Sequence, residues 1–111
     1  MVICRIWRGW TTTDNAPAYE AIVRGEVIPA IEARGIHGFL SIDLLRRAVP
    51  EGVEFTTIMW FADLDAVRAF VGDDYEMAHV PEHARAVLSR FDERSSHHEV
   101  LDRREQTGSA A

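Results

Sequence analysis

The residues of this 111-residue chain whose types can do chemistry are few: Arg5, Tyr75, His79, the pair His97 and His98, and the tryptophans Trp7, Trp10 and Trp60. A neutral imidazole can take a proton from a phenol near physiological pH, which makes His79 a candidate general base. Tyr75 precedes it by four residues, so on a helical segment the two side chains share a face and form a candidate catalytic pair. The alternative for His79 is a structural histidine on an exposed connector.

Large rings on a sheet offer apolar area and an indole N–H, so Trp7, Trp10 and Trp60 are candidates for the wall of a flat-ligand site, with core packing as the alternative for each. Trp7 and Trp10 have opposite parity on one strand, and at most one of them faces a cavity on the helix side. Arg5 has the parity of Trp7. A strand arginine beside an aromatic on a covered face requires a carboxylate partner, with Glu54 and Asp43 as candidates, or an anionic ligand.

Other constellations fail on spacing. His97 and His98 point to opposite faces of a strand, and Pro81 lies between His79 and His83, so neither pair chelates a metal and no metal site is expected. His37 opens a strand at a surface position. There is no Gly-rich phosphate loop, Ser-x-x-Lys pattern or nucleophile elbow.

The composition bounds what these residues can serve. With 47% hydrophobic and 27% charged residues the chain has the balance of one globular domain. A formal charge of −6 argues against a nucleic-acid partner. Lysine is absent, which removes Schiff-base chemistry. Cys4 has no intrachain partner, no apolar run approaches a membrane span, and the N-terminus lacks a signal-like segment, so a cytoplasmic setting without a membrane partner is expected.

The elements that must position these residues are read from periodicity and punctuation. Residues 2–11 read as a strand with apolar groups on both faces. Residues 16–34 read as a helix opened by Pro17, with Tyr19, Ile22, Val23, Val27, Ala30 and Ile31 on one face, a bend at Pro29 and Gly35 as a left-handed stop. Residues 36–49 and 53–62 form a hairpin through Pro50-Glu51-Gly52, with Ile36, Gly38, Leu40, Ile42 and Leu44 on one face of the first strand. Asp63 caps a helix carrying Leu64, Val67, Phe70 and Val71, closed by Gly72; 73–80 is a connector, and Pro81 opens a short helix with Ala84, Val87 and Leu88 inward. A polar edge strand spans 91–101, and the tail 102–111 is expected to be disordered. The outcome is an α+β, ferredoxin-like β-α-β-β-α-β domain over residues 1–101, with an antiparallel sheet and helices on one face. A single helix layer leaves an apolar sheet face bare, which predicts a homodimer.

This pattern resembles the antibiotic-biosynthesis-monooxygenase superfamily of dimeric α+β barrels over about residues 2–101. The resemblance is carried by Arg5-Ile6-Trp7-Arg8-Gly9-Trp10, by Glu54-Phe55-Thr56-Thr57-Ile58-Met59-Trp60-Phe61, by Leu64-Asp65-Ala66-Val67-Arg68-Ala69-Phe70 before Tyr75, and by Leu88-Ser89-Arg90-Phe91-Asp92 and His97-His98-Glu99-Val100. It implies a cofactor-independent monooxygenase acting on a small aromatic or polyketide-like molecule between sheet and helices, with His79 and Tyr75 catalytic and Arg5, Trp7, Trp60 and Phe70 binding substrate. The same architecture also serves non-catalytic dimeric modules that bind a small hydrophobic molecule. In the haem-degrading branch a His matching His79 ligates iron, but the pocket-shaping Trp is Phe70 here and the first strand has no Asn.

Overall fold

The computed structural model describes residues 1–108; the last three residues of the tail expected to be disordered lie outside the described residues. The sheet has three long strands, β1 (Ile3–Thr11), β2 (Phe39–Val49) and β3 (Gly52–Phe61), and two short ones, β4 (Arg90–Phe91) and β5 (Ser96–Glu99). Their order across the sheet is β2-β3-β1, with β4 and β5 arranged one after the other along the second edge of β1, and every pairing is antiparallel. The α+β, ferredoxin-like reading therefore holds.

The expected helix 16–34 is built in three joined parts: α1 (Ala16–Ile22), a π-helical turn (Val23–Val27) and α2 (Ile28–Ala33). Pro29 supplies the reason. An α-helix would aim its missing N–H at the Gly25 carbonyl; instead the Ile28 N–H bonds to Val23 O five residues back, and the widened turn accommodates the proline ring. The additional residue in this turn rotates the remainder of the helix, so Ile28 and Ile31 turn inward while Ala30, expected on the buried stripe, is exposed. Gly35 adopts a left-handed φ of 58°, as a helix stop requires.

Helix α3 (Leu64–Val71) begins where the Asp63 carboxylate accepts from Ala66 N at 2.9 Å, and it ends at Gly72. The short α4 (Glu82–Arg85) comes after Pro81 and buries Ala84. The strand expected to start at Ile36 begins at Phe39, and a bulge between Phe39 and Ser41 breaks its alternation. Leu40, expected on the core face, is consequently exposed, while Phe39 and Ile42 pack on the core. The polar strand expected over 91–101 splits into β4 and β5, because residues 92–95 leave β1 to meet the connector, where Met77 bridges Arg94. Residues 101–108 are exposed and carry no regular structure.

The helices cover one face of the sheet. Two apolar clusters hold it there: Ile3, Ile31, Met59, Phe61, Val67 and Phe70 in one, and Ala16, Tyr19, Val23, Phe55 and Ala84 in the other. Complete burial of Phe55, Phe61 and Val67 stabilises the fold by about 1.5–3 kcal/mol each. On the opposite face the alternating residues are Cys4, Ile6, Arg8 and Trp10 of β1, Glu54, Thr56, Ile58 and Trp60 of β3, and Asp43, Leu45 and Arg47 of β2. Among the described residues no helix is long and apolar enough to cross a membrane.

Candidate functional site

Between the two apolar clusters the packing leaves a cavity of about 50 Å³. Its walls are apolar: Trp7 and Met59 from the sheet, Val27 and Ile31 from the first helix, Phe70 from α3 and Pro81 beside α4. Its polar lining is sparse, consisting of Arg5, Tyr19, Thr57, His79 and Ser95. Since a water occupies roughly 10–15 Å³ by this measure, the cavity holds a few waters and is smaller than a drug-sized site of about 300–1,000 Å³.

Arg5 is 3% exposed, yet among the described residues no carboxylate lies within ion-pair distance of it. Both carboxylates expected to pair with it project from the other face of the sheet. Glu54 receives Arg47 at 3.1 Å and the Trp10 indole N–H at 3.2 Å, and Asp43 accepts from the Trp60 indole at 3.0 Å. Arg5 is held instead by neutral acceptors. Nη1 donates to the Tyr75 carbonyl and to His97 Nε2, the latter at 3.0 Å, and Nη2 donates to the Met77 carbonyl at 2.8 Å. Its guanidinium carbon also stands 5.4 Å from the Phe70 ring centroid. Burial lowers its pKa to about 10, so the group is cationic at neutral pH and its charge has no counterion among the described residues.

His79 is exposed on its outer side and turns its ring to Phe70, with centroids 5.0 Å apart. Desolvation of that inner side, then the Arg34 and Arg5 cations, hold its pKa below the ordinary histidine value. At neutral pH it is an uncharged proton acceptor at the mouth of the cavity. Ser95 is 4% exposed and its hydroxyl has no hydrogen-bond partner among the described residues. Tyr19, 3% exposed, has a phenol whose pKa burial pushes well above the usual value, so it stays protonated.

The structure thus brings Arg5, Trp7, Phe70 and His79 to one cavity. Tyr75 is elsewhere: its side chain packs edge-on to His97 at 5.1 Å and beneath Arg68, and only its carbonyl serves the site, through Arg5. Trp60 lies on the opposite sheet face because its parity differs from that of Met59, which lines the cavity. The wall expected of Trp60 is formed by Met59. Trp7 is fixed by an indole bond of 2.7 Å to the Asp92 carbonyl. Sequence reading missed Tyr19, which looked like any other residue of the helix stripe, and Ser95, which lay inside what read as a continuous edge strand. Parity with His97 was the available signal for Ser95. Among the described residues no three His, Cys, Asp or Glu side chains come together as a metal site.

No protein-family profile matches the chain, and no curated protein matches its sequence. Solved structures do resemble its fold. A Bacillus cereus protein provisionally assigned as an antibiotic biosynthesis monooxygenase superposes with a TM-score of 0.67 at 12% identity, covering 98% of this chain and 100% of its own. The monooxygenase ActVA-Orf6 of Streptomyces coelicolor, solved in complex with nanaomycin D, gives 0.57 at 17% identity over 97% and 92%. SnoaB, a cofactor-independent oxygenase of Streptomyces nogalater, gives 0.55 at 18% identity over 96% and 98%. At these identities the likeness establishes the fold: the chain has the antibiotic-biosynthesis-monooxygenase fold.

Proposed function

We propose that the protein is a cofactor-independent monooxygenase acting on a small, electron-rich aromatic molecule in the cavity between sheet and helices. One observation carries the reading. An uncharged imidazole, His79, and an arginine without counterion, Arg5, line the same apolar cavity and both pack against Phe70. His79 takes the proton of a phenol or of an activated ring CH₂, Arg5 stabilises the resulting anion, and the apolar walls exclude water. The anion reduces dioxygen. One oxygen atom becomes a ring carbonyl and the other leaves as water, with the two hydrogens of the CH₂ or, for a phenol, with the O–H hydrogen and the hydrogen of the ring carbon that is oxidised, and the four electrons come from the substrate.

A cavity of about 50 Å³ is well below the roughly 150 Å³ that a benzene ring fills, so the reading requires outward movement of α4 and the connector 73–80 even for one ring and disfavours a fused polyketide. Two protomers are part of the reading: Ile6, Ile58, Leu45 and Trp60 on the sheet face opposite the helices favour pairing with a second copy. A cytoplasmic setting fits the free, buried Cys4. A second reading, a binding module without turnover, is favoured by the placement of Tyr75 outside the cavity, which leaves His79 as the sole candidate base there.

Oxygen uptake with a panel of hydroquinone- and anthrone-like phenols tests the proposal. Turnover by the wild type that falls about hundredfold or more in His79→Ala supports it. Turnover unchanged by the substitution removes His79 from the mechanism, and absence of turnover on the whole panel favours the binding module.

A further inference from the structure

Two residues that converge on the cavity from distant parts of the chain, Arg5 and Ser95, are almost wholly buried and carry polar atoms without a partner among the described residues. Of the five N–H donors of a guanidinium, the protein takes three from Arg5, two at Nη1 and one at Nη2. The Nε–H and the second Nη2 N–H have no protein partner among the described residues. Ser95 adds a buried hydroxyl that neither donates nor accepts a bond among the described residues. The β1–β5 register, which pairs Arg5 with His97 and Ile6 with Ser96, brings Ser95 to the neighbourhood of Trp7 on the cavity side. A buried cation without counterion and a buried hydroxyl without partner are each costly, and both costs are offset by one ligand group: an anion with two acceptor oxygens.

We propose that the cavity, widened by outward movement of α4 and the connector 73–80, is a subsite for an aromatic carboxylate, whose two oxygens are held by Arg5 and Ser95, with the ring among Trp7, Met59 and Phe70 and a ring hydroxyl directed to His79. The inference rests on the proposed oxygenase reading of this cavity and narrows the substrate to a hydroxylated aromatic acid. A carboxylate suits the site because its planar pair of oxygens matches the guanidinium edge, whereas a neutral amide brings N–H groups against the N–H donors of Arg5. The ring then lies on the walls that are apolar, and the acid end lies where the lining is not.

Titration of the full chain with para-hydroxybenzoate and, in parallel, with neutral para-hydroxybenzamide tests this, with NMR of the Arg5 Nε–H and the Trp7 indole N–H as the readout of position. The acid is expected to bind at least about tenfold more tightly than the amide, as one charge-assisted pair implies, and to shift the Arg5 signal downfield. Ser95→Ala, a small change that leaves the core apolar set intact, lowers the preference by about fivefold, and Arg5→Gln removes it. Equal affinity for acid and amide, no binding of either, or an undiminished preference in Ser95→Ala overturns the proposal. Oxygen uptake is read separately. Loss of uptake with the acid preference intact rejects the oxygenase and keeps the subsite, whereas uptake on neutral phenols without any acid preference rejects only the subsite.

Discussion

Arg5 and His97 are register partners across the β1–β5 ladder, and the guanidinium donates to His97 Nε2 at 3.0 Å. Because an arginine only donates, Nε2 must be unprotonated, and the imidazole proton resides on Nδ1, which is buried without a partner among the described residues. Burial first, then the Arg5 and His98 charges, outweigh the opposing effect of Glu76 and push the His97 pKa down to about 4. The histidine thus serves as a neutral clamp that orients Arg5 without cancelling its charge.

This depressed pKa makes stability depend on pH. Between the ordinary histidine pKa of about 6.5 and the folded value of about 4, the unfolded chain binds a proton at His97 that the native chain does not, so stability falls as pH drops through this window. His79, also lowered, acts in the same direction. We expect the melting temperature to decline between pH 6.5 and 4.5 and to decline less steeply in His97→Gln. Equal slopes for the two proteins would refute the clamp.

Gly9 provides the floor on which the Trp7 ring lies. A Cβ there would meet Trp7 Cη2 at 2.6 Å and Leu88 Cδ2 at 3.0 Å. Gly9→Ala must therefore displace the cavity wall, at a cost of about 1–3 kcal/mol in urea unfolding, together with a changed Trp7 indole resonance. A variant as stable as wild type with that resonance unmoved is the contrary result.

On the opposite face Glu54 joins three partners: the Trp10 indole, Arg47 through two bonds, and Arg8 at 3.9 Å. Most of the expected loss in Glu54→Ala comes from the Trp10 N–H, which is left buried without an acceptor, at about 1–3 kcal/mol. Since the exposed Arg47 pair is worth little by itself, Arg47→Ala should cost much less. Denaturant titrations of both variants decide the ranking.

Ile6 and Ile58 face one another across the β1–β3 ladder on the side away from the helices. If two protomers close over this face, Ile6→Glu places a carboxylate in the seam of each copy and shifts the protein to a single chain by light scattering at micromolar concentration. A wild type that already scatters as one chain removes the dimer.

If His79 is the base, it also sets the pH limit of turnover. With its pKa held below the ordinary value, the acid limb of kcat/KM for a neutral phenol is expected below pH 6.5, and salt that screens Arg34 should move it upward. A limb above 7 would assign the base elsewhere.

Local features of this protein were legible in its sequence because their causes are local. Asp63 before an apolar stripe, Pro17 in a first turn, Gly35 at a helix end and Pro50-Glu51-Gly52 between two alternating runs each fixed one backbone choice, and together they imposed the β-α-β-β-α-β order. Strand parity alone separated Trp7 from Trp10 and placed Arg5 on the side of Trp7. The tertiary structure decided the rest, since it depended on partners distant in the chain. The bulge at Leu40 arises from the need of both Phe39 and Ile42 to reach one core, and the π turn shows itself only when Pro29 has to coexist with a buried Ile31. Arg5 could be seen to need a counter-group, but only folding showed Glu54 and Asp43 on the wrong face. Neutral carbonyls from a connector 70 residues away in the chain took their place, so that the charge has no counterion and the Ser95 hydroxyl no partner among the described residues.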